Sequence, residues 1–207
     1  MSPQQNPVGC YRRSLELREQ WLHRKVHLVF EGVDSAFHVW VNGHFVGYSQ
    51  GSHLHAEFNV SPYLQAGKNG IAVQVYQWSD GSYLESQDKW RMSGIFRDVY
   101  LLSFPQVSIR DASVRTRFMK DYSEATLEVQ VDFDSDRDGP LKVEGELRMT
   151  LIDEEGRIVC DRFHPLQWDL PAVDLTEKVL LPNLWTAETP HLYSLLLTTS
   201  SILCGAM

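Results

Sequence analysis

Apolar and polar residues alternate with a period of two along most of this 207-residue chain, a pattern that buries one face when the chain forms β-strands. Asn42-Gly43 separates two alternating runs, and this dipeptide supplies the positive φ angles of a type I′ hairpin turn. In the first half, the alternation predicts strands over 11–17, 26–31, 37–41, 44–48, 56–60, 71–77 and 96–102. With turn residues at 66–70 and a long loop from Ser79 to Gly94, this half is predicted to be an antiparallel β-sandwich.

A second series of alternating runs begins after Pro105, again with the spacing of a sandwich. The predicted strands are 107–118, 125–133, 141–152, 157–162, 173–181 and 192–199. The acidic turn 134–139 is similar to a calcium loop, but Gly145 stands at the twelfth position, where a bidentate Glu is needed, so a solvated turn is favoured. We therefore predict two domains, 1–104 and 105–207.

Charge excludes some classes of partner. The first 104 residues hold 9 Lys/Arg and 9 Asp/Glu, whereas the remainder holds 10 and 18, so the whole net charge of −8 lies in the second half. Neither half offers the clustered basic residues that nucleic acid or an anionic membrane surface requires. We expect neither as a partner.

The cysteines and the amino terminus bear on localisation. Cys10, Cys160 and Cys204 are odd in number and lack CxxC spacing, which favours a reducing compartment over a disulfide framework. The opening residues have neither the basic nor the apolar region of a secretory leader, and no apolar run reaches 18 residues. The predicted localisation is cytoplasmic.

Three segments carry a resemblance to a known family. They are NPVGCY at 6–11, WSDGSYLESQDKWRMSGIFRDV at 78–99 and NLWTAETPHLY at 183–193. Together they closely resemble the amino-terminal part of bacterial β-galactosidases of glycoside hydrolase family 2. The resemblance implies an all-β chain, an antiparallel jelly-roll sandwich followed by an immunoglobulin-like sandwich.

The family comparison also implies that parts are missing. We expect the jelly roll to lack its first strands, the immunoglobulin-like domain its last strand, and the chain the catalytic barrel that carries both glutamates. The isolated chain is then an inactive fragment that supplies galactose-binding and spacer domains to an enzyme hydrolysing terminal β-D-galactosides such as lactose. The alternative is a non-catalytic galactoside-binding module. Expected partners are the galactoside, in the context of a full enzyme, and either a barrel-containing chain or further copies of this chain in a homo-oligomer.

Asp88 is the residue to which the resemblance assigns a role. It implies that this carboxylate contacts the galactosyl 6-hydroxyl and helps bind a sodium ion, whereas the family's magnesium site lies outside this chain. Carboxylate oxygens suit both tasks. Without the surrounding match, Asp88 would be interpreted as a turn former. The neighbouring Trp90 could stack on a sugar, but core or interface packing is the commoner role of a Trp in a sandwich.

Other candidate residues are weaker. A glycosidase needs two carboxylates, but the family places neither of its catalytic groups among Glu31, Glu57, Glu85 and Asp98. We expect Arg97 and Asp98 to form a structural ion pair. His53 and His55 share one face of a possible strand, yet no further zinc ligands follow at suitable spacing.

Overall fold

The computed structural model describes residues 6–85, 90, 92–105, 107–135, 143–167 and 172–203. These residues are almost entirely β, with antiparallel pairing throughout, which confirms the predicted fold class of a jelly roll followed by an immunoglobulin-like sandwich. The chain divides into two compact units, Met1–Gln106 and Val107–Met207.

The described residues of the first unit form nine strands and one short helix. In chain order they are β1 (Val8–Leu17), β2 (Lys25–Phe30), β3 (Val33–Asp34), β4 (Ala36–Val41), β5 (His44–Gln50), β6 (Ala56–Asn59), β7 (Gly67–Tyr76), α1 (Gly81–Leu84), β8 (Gly94–Ile95) and β9 (Val99–Phe104). Single 3₁₀ turns occupy Glu19–His23 and Ser61–Tyr63. The absence of an ordinary helix from the described part of this unit follows from the period-two pattern.

Two sheets enclose the core of the first unit. One has the strand order β1-β7-β4-β5 and the other β6-β2-β9, while β3 and β8 form a separate two-stranded ladder. The inward residues of the sheets alternate with outward ones, so that a single apolar layer lies between them. That layer consists of Val26, Leu28, Phe30, Val33, Phe37, Val39, Val41, Val60, Val73 and Val75.

The predicted hairpin is confirmed, and its turn is tied to neighbouring structure. Asn42 and Gly43 have φ angles of 50° and 84°, as a type I′ turn requires. The Asn42 side chain donates to Asn69 Oδ1 and to the Tyr63 carbonyl, each at 2.8 Å, and accepts from the Gly70 N–H at 2.8 Å. The turn therefore fixes β4 against β7 as well as against β5.

Asn69 explains why the predicted turn at 66–70 is only partly right. The structure continues β7 back to Gly67, and Asn69 is 1% exposed. Its side-chain amide donates to the carbonyls of Gln65 and Gly67, and its oxygen accepts from Gln65 N–H. A polar residue that usually signals a turn is buried in a strand here because every one of these groups is satisfied.

In the second unit, the part of the chain that the structure describes forms six strands in two three-stranded sheets. The strands are β10 (Val107–Phe118), β11 (Glu124–Ser135), β12 (Val143–Ile152), β13 (Ile158–Gln167), β14 (Ala172–Leu180) and β15 (Ser194–Leu203), in the orders β10-β11-β14 and β13-β12-β15. Leu195 and Leu197 pack against the core, whereas the intervening Leu196 is 52% exposed. The buried core consists of Ala125, Leu127, Val129, Val131, Leu147, Met149, Leu151, Cys160, Leu166, Leu175 and Val179. Most of the acidic turn 134–139 lies outside the described residues.

The turn between β12 and β13 holds a nearly buried carboxylate. Asp153 Oδ1 accepts from the N–H groups of Glu155 and Arg157, and Oδ2 accepts from Arg157 Nε at 2.7 Å. The Arg157 guanidinium and then its backbone N–H hold the pKa of Asp153 below the usual value. The charged carboxylate is thus the form that the folded turn stabilises.

We expect Asp153→Asn to lower the melting temperature at pH 7 and to matter less in acid. A carboxylate with a depressed folded-state pKa contributes stability that is complete above its unfolded-state pKa, about 3.9, and is lost as pH falls through the lower folded-state pKa. Thermal unfolding of both proteins between about pH 7 and pH 3 measures this. A gap in melting temperature that stays constant with pH would contradict the assignment.

The described parts of the chain include no helix with the length and apolarity needed to cross a bilayer. Both described cysteines are free thiols, Cys10 exposed and Cys160 buried.

Candidate functional site

The long segment between β7 and β9 leaves the sandwich from a fixed point. Asn6 Nδ2 donates to the Trp78 carbonyl at 2.8 Å, and Trp78 N–H donates back to Asn6 Oδ1 at 2.9 Å. Gln77 N–H donates to the Pro7 carbonyl. Residues 6–7, which directly precede β1, therefore clamp the beginning of this segment.

A single helical turn follows the clamp. Asp80 caps α1 by accepting from Gly81 N–H, and Ser82 Oγ accepts from Ser79 N–H at 3.0 Å. These short side chains satisfy backbone donors at the helix start, as capping residues do. Ser82 is buried, whereas Tyr83 and Leu84 are 79% and 90% exposed.

Glu85 ties the end of α1 to the body of the unit. The hydroxyl of Ser52, a residue only 1% exposed, lies 2.6 Å from Glu85 Oε2 and 2.9 Å from Asp34 Oδ1. Ser52 N–H also contacts both Glu85 oxygens at 3.3 Å. Three residues far apart in sequence thus converge beside the segment.

The end of the segment, where the chain rejoins the sandwich, is also held by close contacts. Gly94 pairs with Asp34 and has a φ of 100°, and a Cβ on it would lie 2.8 Å from the Tyr11 hydroxyl. Gly32 has no room for a side chain either, because a Cβ there would lie 2.8 Å from the Phe96 ring. The segment is therefore anchored at both ends on the same side of the unit.

Asp88, the predicted galactose and sodium ligand, lies outside the described residues, within 86–89. The nearest described residues carry large exposed apolar side chains. Trp90 is 91% exposed and Met92 is 85% exposed, so Trp90 does not belong to the core of the sandwich. Two aromatic rings, Tyr83 and Trp90, therefore flank Asp88 in sequence with their faces open to a ligand or to another chain.

Several rejected candidates meet at an open cavity of about 310 Å³ on the outer face of the sheet that contains β2. Glu57, one of the residues that line the cavity, has its Oε2 3.3 Å from Nδ1 of the buried His27. Desolvation raises the pKa of Tyr100, and the Glu31 carboxylate raises it further. Among the described residues no group of three or more His, Cys, Asp or Glu could hold a metal ion. The cavity is lined by Val29, Glu31, His53, His55, Glu57, Arg97 and Tyr100.

The expected ion pair between Arg97 and Asp98 does not form. The Arg97 guanidinium lies over the Phe96 ring, 5.5 Å from its centre, and the Asp98 backbone carbonyl accepts from Glu31 N–H. Because Phe96 and Arg97 pack on Gly32, they also leave the strand pattern, and β9 begins at Val99 instead of residue 96.

Profiles of known families match both units. The profile described as the sugar binding domain of glycosyl hydrolases family 2 matches residues 1–105, and the one described as glycosyl hydrolases family 2 matches residues 107–201. The chain belongs to glycosyl hydrolase family 2.

The chain spans only part of the length of the family 2 relatives that it matches. It is 45% identical over 202 residues to a β-galactosidase of Priestia megaterium, a match that covers 93% of this chain and 19% of that protein. Bacteroides uniformis β-glucuronidase 2, covalently bound to cyclophellitol-6-carboxylate aziridine, superposes with a TM-score of 0.81 at 26% identity. A β-glycosidase from Bacteroides vulgatus superposes with a TM-score of 0.77, also at 26% identity. These matches cover 94% and 93% of this chain and 24% of each structure, so the chain spans about a fifth to a quarter of such relatives.

The role of segment 78–99 in ligand binding stays a prediction, and its structural supports could not be predicted from the sequence. Ser52 carries no signal in the sequence beyond that of an ordinary turn residue, and Asp34 lies 51 residues before Glu85. Only the fold brings them together. The reciprocal bonds between Asn6 and Trp78, by contrast, join two segments that the family resemblance had already marked.

Proposed function

We propose that this chain supplies the galactose-binding domain and the neighbouring immunoglobulin-like domain of a β-galactosidase acting on terminal β-D-galactosides such as lactose. Hydrolysis would be carried out by a barrel domain outside residues 1–207, because the mechanism needs two carboxylates and the family carries both there. Asp88 would accept a hydrogen bond from the galactosyl 6-hydroxyl.

The observation that carries this proposal is the 45% identity to a β-galactosidase across nearly the whole chain. The anchoring of both ends of segment 78–98 supports it further. A group that must meet a substrate at a site completed by another domain needs a rigid base. The bonds of Asn6 to Trp78 and of Glu85 to Ser52 provide one.

We also propose that Asp88 is a ligand of a sodium ion in the complete site and that magnesium binds on the barrel. Alkali cations prefer hard oxygen ligands such as carboxylates. Under this proposal the partners are the galactoside and a polypeptide that carries the barrel.

A non-catalytic galactoside-binding module is the second candidate. The exposure of Tyr83 and Trp90 favours it, since aromatic rings that flank a carboxylate suit the apolar face and the hydroxyls of a sugar. This candidate differs from the first in requiring that the isolated chain bind galactose by itself.

A graft separates the two candidates. In the Priestia megaterium β-galactosidase, the region that matches this chain is replaced by it, and hydrolysis of an aryl β-D-galactoside is compared with that of the β-D-glucuronide. We expect galactoside turnover by the graft and none by the isolated chain, with no galactose binding to the isolated chain in calorimetry. An inactive but folded graft would refute the first candidate, whereas millimolar or tighter galactose binding by the isolated chain would establish the second.

A further inference from the structure

Segment 78–98 has two limbs, 78–85 and 94–98, that attach to the same part of the first unit. The first limb ends at Glu85, directly after α1, and the second begins at Gly94, which pairs with Asp34 in the ladder of β3 and β8. Residues 86–93 connect the limbs in sequence, and Asp88 is one of them. A contact that fixes the two limbs relative to each other therefore restricts where the connection can place Asp88.

Ser52, in the loop between β5 and β6, links the two limbs. Its hydroxyl lies 2.6 Å from Glu85 Oε2 on the first limb and 2.9 Å from Oδ1 of Asp34, whose backbone pairs with the second limb. Its N–H adds contacts of 3.3 Å to both Glu85 oxygens. Because Ser52 is 1% exposed, these bonds are shielded from water, and such surroundings strengthen a hydrogen bond.

The next residue of the same loop contacts the second limb directly. The His53 ring lies 5.6 Å from the Phe96 ring, between centres. The loop itself is closed by a bond from Leu54 N–H to the Gly51 carbonyl. Two consecutive side chains of one short loop thus contact the two limbs of the segment.

The charges around Ser52 make its hydroxyl more than a spacer. Among the described residues, neither Asp34 nor Glu85 forms an ion pair. Like charges repel, and the repulsion is stronger away from bulk water. The hydroxyl supplies a hydrogen that attracts both carboxylates. Without that hydrogen the carboxylates would repel each other, so we expect the first limb to move away from Asp34.

We propose that Ser52 is a positioning residue for galactoside binding, because it holds the two limbs at the spacing that places Asp88 at the substrate. This inference rests on the proposed function of Asp88 and adds the residue through which the fold controls it. Ser52 itself does not contact the substrate. Its contribution passes through Asp88, and this distinguishes it from a serine that only stabilises the fold.

A double-mutant cycle in the grafted enzyme tests whether Ser52 acts through Asp88. We expect Ser52→Ala to lower kcat/KM for an aryl β-D-galactoside roughly tenfold, since small misplacements of a binding group are costly. In an Asp88→Ala background the same change should alter kcat/KM by less than about twofold, because residues that act through one another are not additive. Equal losses in the two backgrounds would overturn the proposal.

Ser61→Ala is the matched control for Ser52→Ala. It also removes a hydrogen-bonded hydroxyl from the first unit, since Ser61 Oγ accepts from Val26 N–H at 2.8 Å, but this hydroxyl contacts neither limb. We expect kcat/KM within about twofold of the unaltered graft. A loss as large as that of Ser52→Ala would mean that activity follows general stability, and the proposal would fail.

Proteolysis of the full chain tests the link between the limbs without any enzyme activity. Trypsin cuts after Lys89 and Arg91, which lie between the limbs in sequence. Because cleavage of a folded protein follows local opening, Ser52→Ala should speed cutting at these two sites roughly fivefold or more, and Ser61→Ala should not. Glu85→Ala removes the same link from its other side and should match Ser52→Ala. Circular dichroism confirms folding, and Glu85→Ala serves in both tests if Ser52→Ala does not fold.

The two experiments separate this inference from the proposed function. Unchanged cleavage in the folded Ser52→Ala and Glu85→Ala variants would show that the limbs are not linked through Ser52 and would overturn the inference. Faster cleavage combined with additive kinetic losses would make Ser52 a structural support only, which also overturns it. An inactive graft, or full activity of the Asp88→Ala graft, would instead refute the proposed function, and the positioning role would fall with it.

Discussion

Asp88→Ala should lower the galactosidase activity of the grafted enzyme by roughly 10- to 100-fold, because a lost hydrogen bond to a charged group costs about 1.5–3 kcal/mol. Under the proposed function, the truncation removes both the proposed acceptor for the substrate hydroxyl and the proposed sodium ligand. Initial rates on an aryl β-D-galactoside over a range of substrate concentrations measure the effect. Asp88→Asn should retain part of the hydrogen bonding and lose sodium activation.

Asp98→Ala is the matched control for Asp88→Ala. Both variants replace an Asp in the same segment. The Asp98 contact is made by its backbone carbonyl, which accepts from Glu31 N–H, and the substitution keeps this carbonyl. We therefore expect rates within about twofold of the unaltered graft, as for an exposed surface change. Equal losses in the two variants, or loss of folded protein with Asp88→Ala alone, would show that residue 88 supports the segment structurally and would count against a role in binding.

Phe30→Ala should destabilise the first unit by about 3–5 kcal/mol, a large share of the roughly 5–15 kcal/mol that a domain possesses. Phe30 is 1% exposed, and its ring lies 4.8 Å from that of Phe37 and 6.0 Å from that of Phe58, between centres. Removing it leaves a cavity that these neighbours can fill only by moving. Urea unfolding followed by tryptophan fluorescence reports mainly on this unit, since four of the six tryptophans belong to it.

Phe45→Ala makes the same chemical change on the surface. Phe45 is 54% exposed and contacts His38 and Trp40 on the outer side of its strand. We expect a loss of about 1 kcal/mol or less, because little area leaves water at this position. If both variants unfolded at the same urea concentration, the assignment of Phe30 to the core would be wrong.

Strands could be predicted from sequence wherever one face of the strand is buried and the other is exposed to solvent. The runs that became β4 and β5, with the Asn42-Gly43 turn between them, are of this kind. The local pattern gives the wrong structure where a tertiary contact overrides it. Phe96 leaves its predicted strand because Gly32 lets the ring pack on its backbone, and Asn69 enters a strand because the fold satisfies its amide.

The sequence predicts a candidate site at 78–99 from the family motif, but it does not predict the contacts that support this segment. Nothing in the local pattern indicated that Ser52 would hold Glu85 or that Asn6 would hold Trp78. Such contacts depend on the arrangement of distant strands, which alternation alone does not specify. The same holds for Arg97, whose neighbour in sequence is an acid but whose partner in space is an aromatic ring.

The bonds of Asn42 have a consequence for how the first unit reaches its native pairing. The β4–β5 hairpin can close within microseconds, whereas β7 must be recruited across a longer loop. A one-residue slip of β7 would turn Val73 and Val75 to solvent. It would also break the backbone bond from Asn42 N–H to the Gly70 carbonyl and the two bonds of the Asn42 side chain, to Gly70 N–H and to Asn69 Oδ1. The Asn42 side chain thus favours the native register during folding, since only the correct alignment of β7 with β4 forms all of its hydrogen bonds.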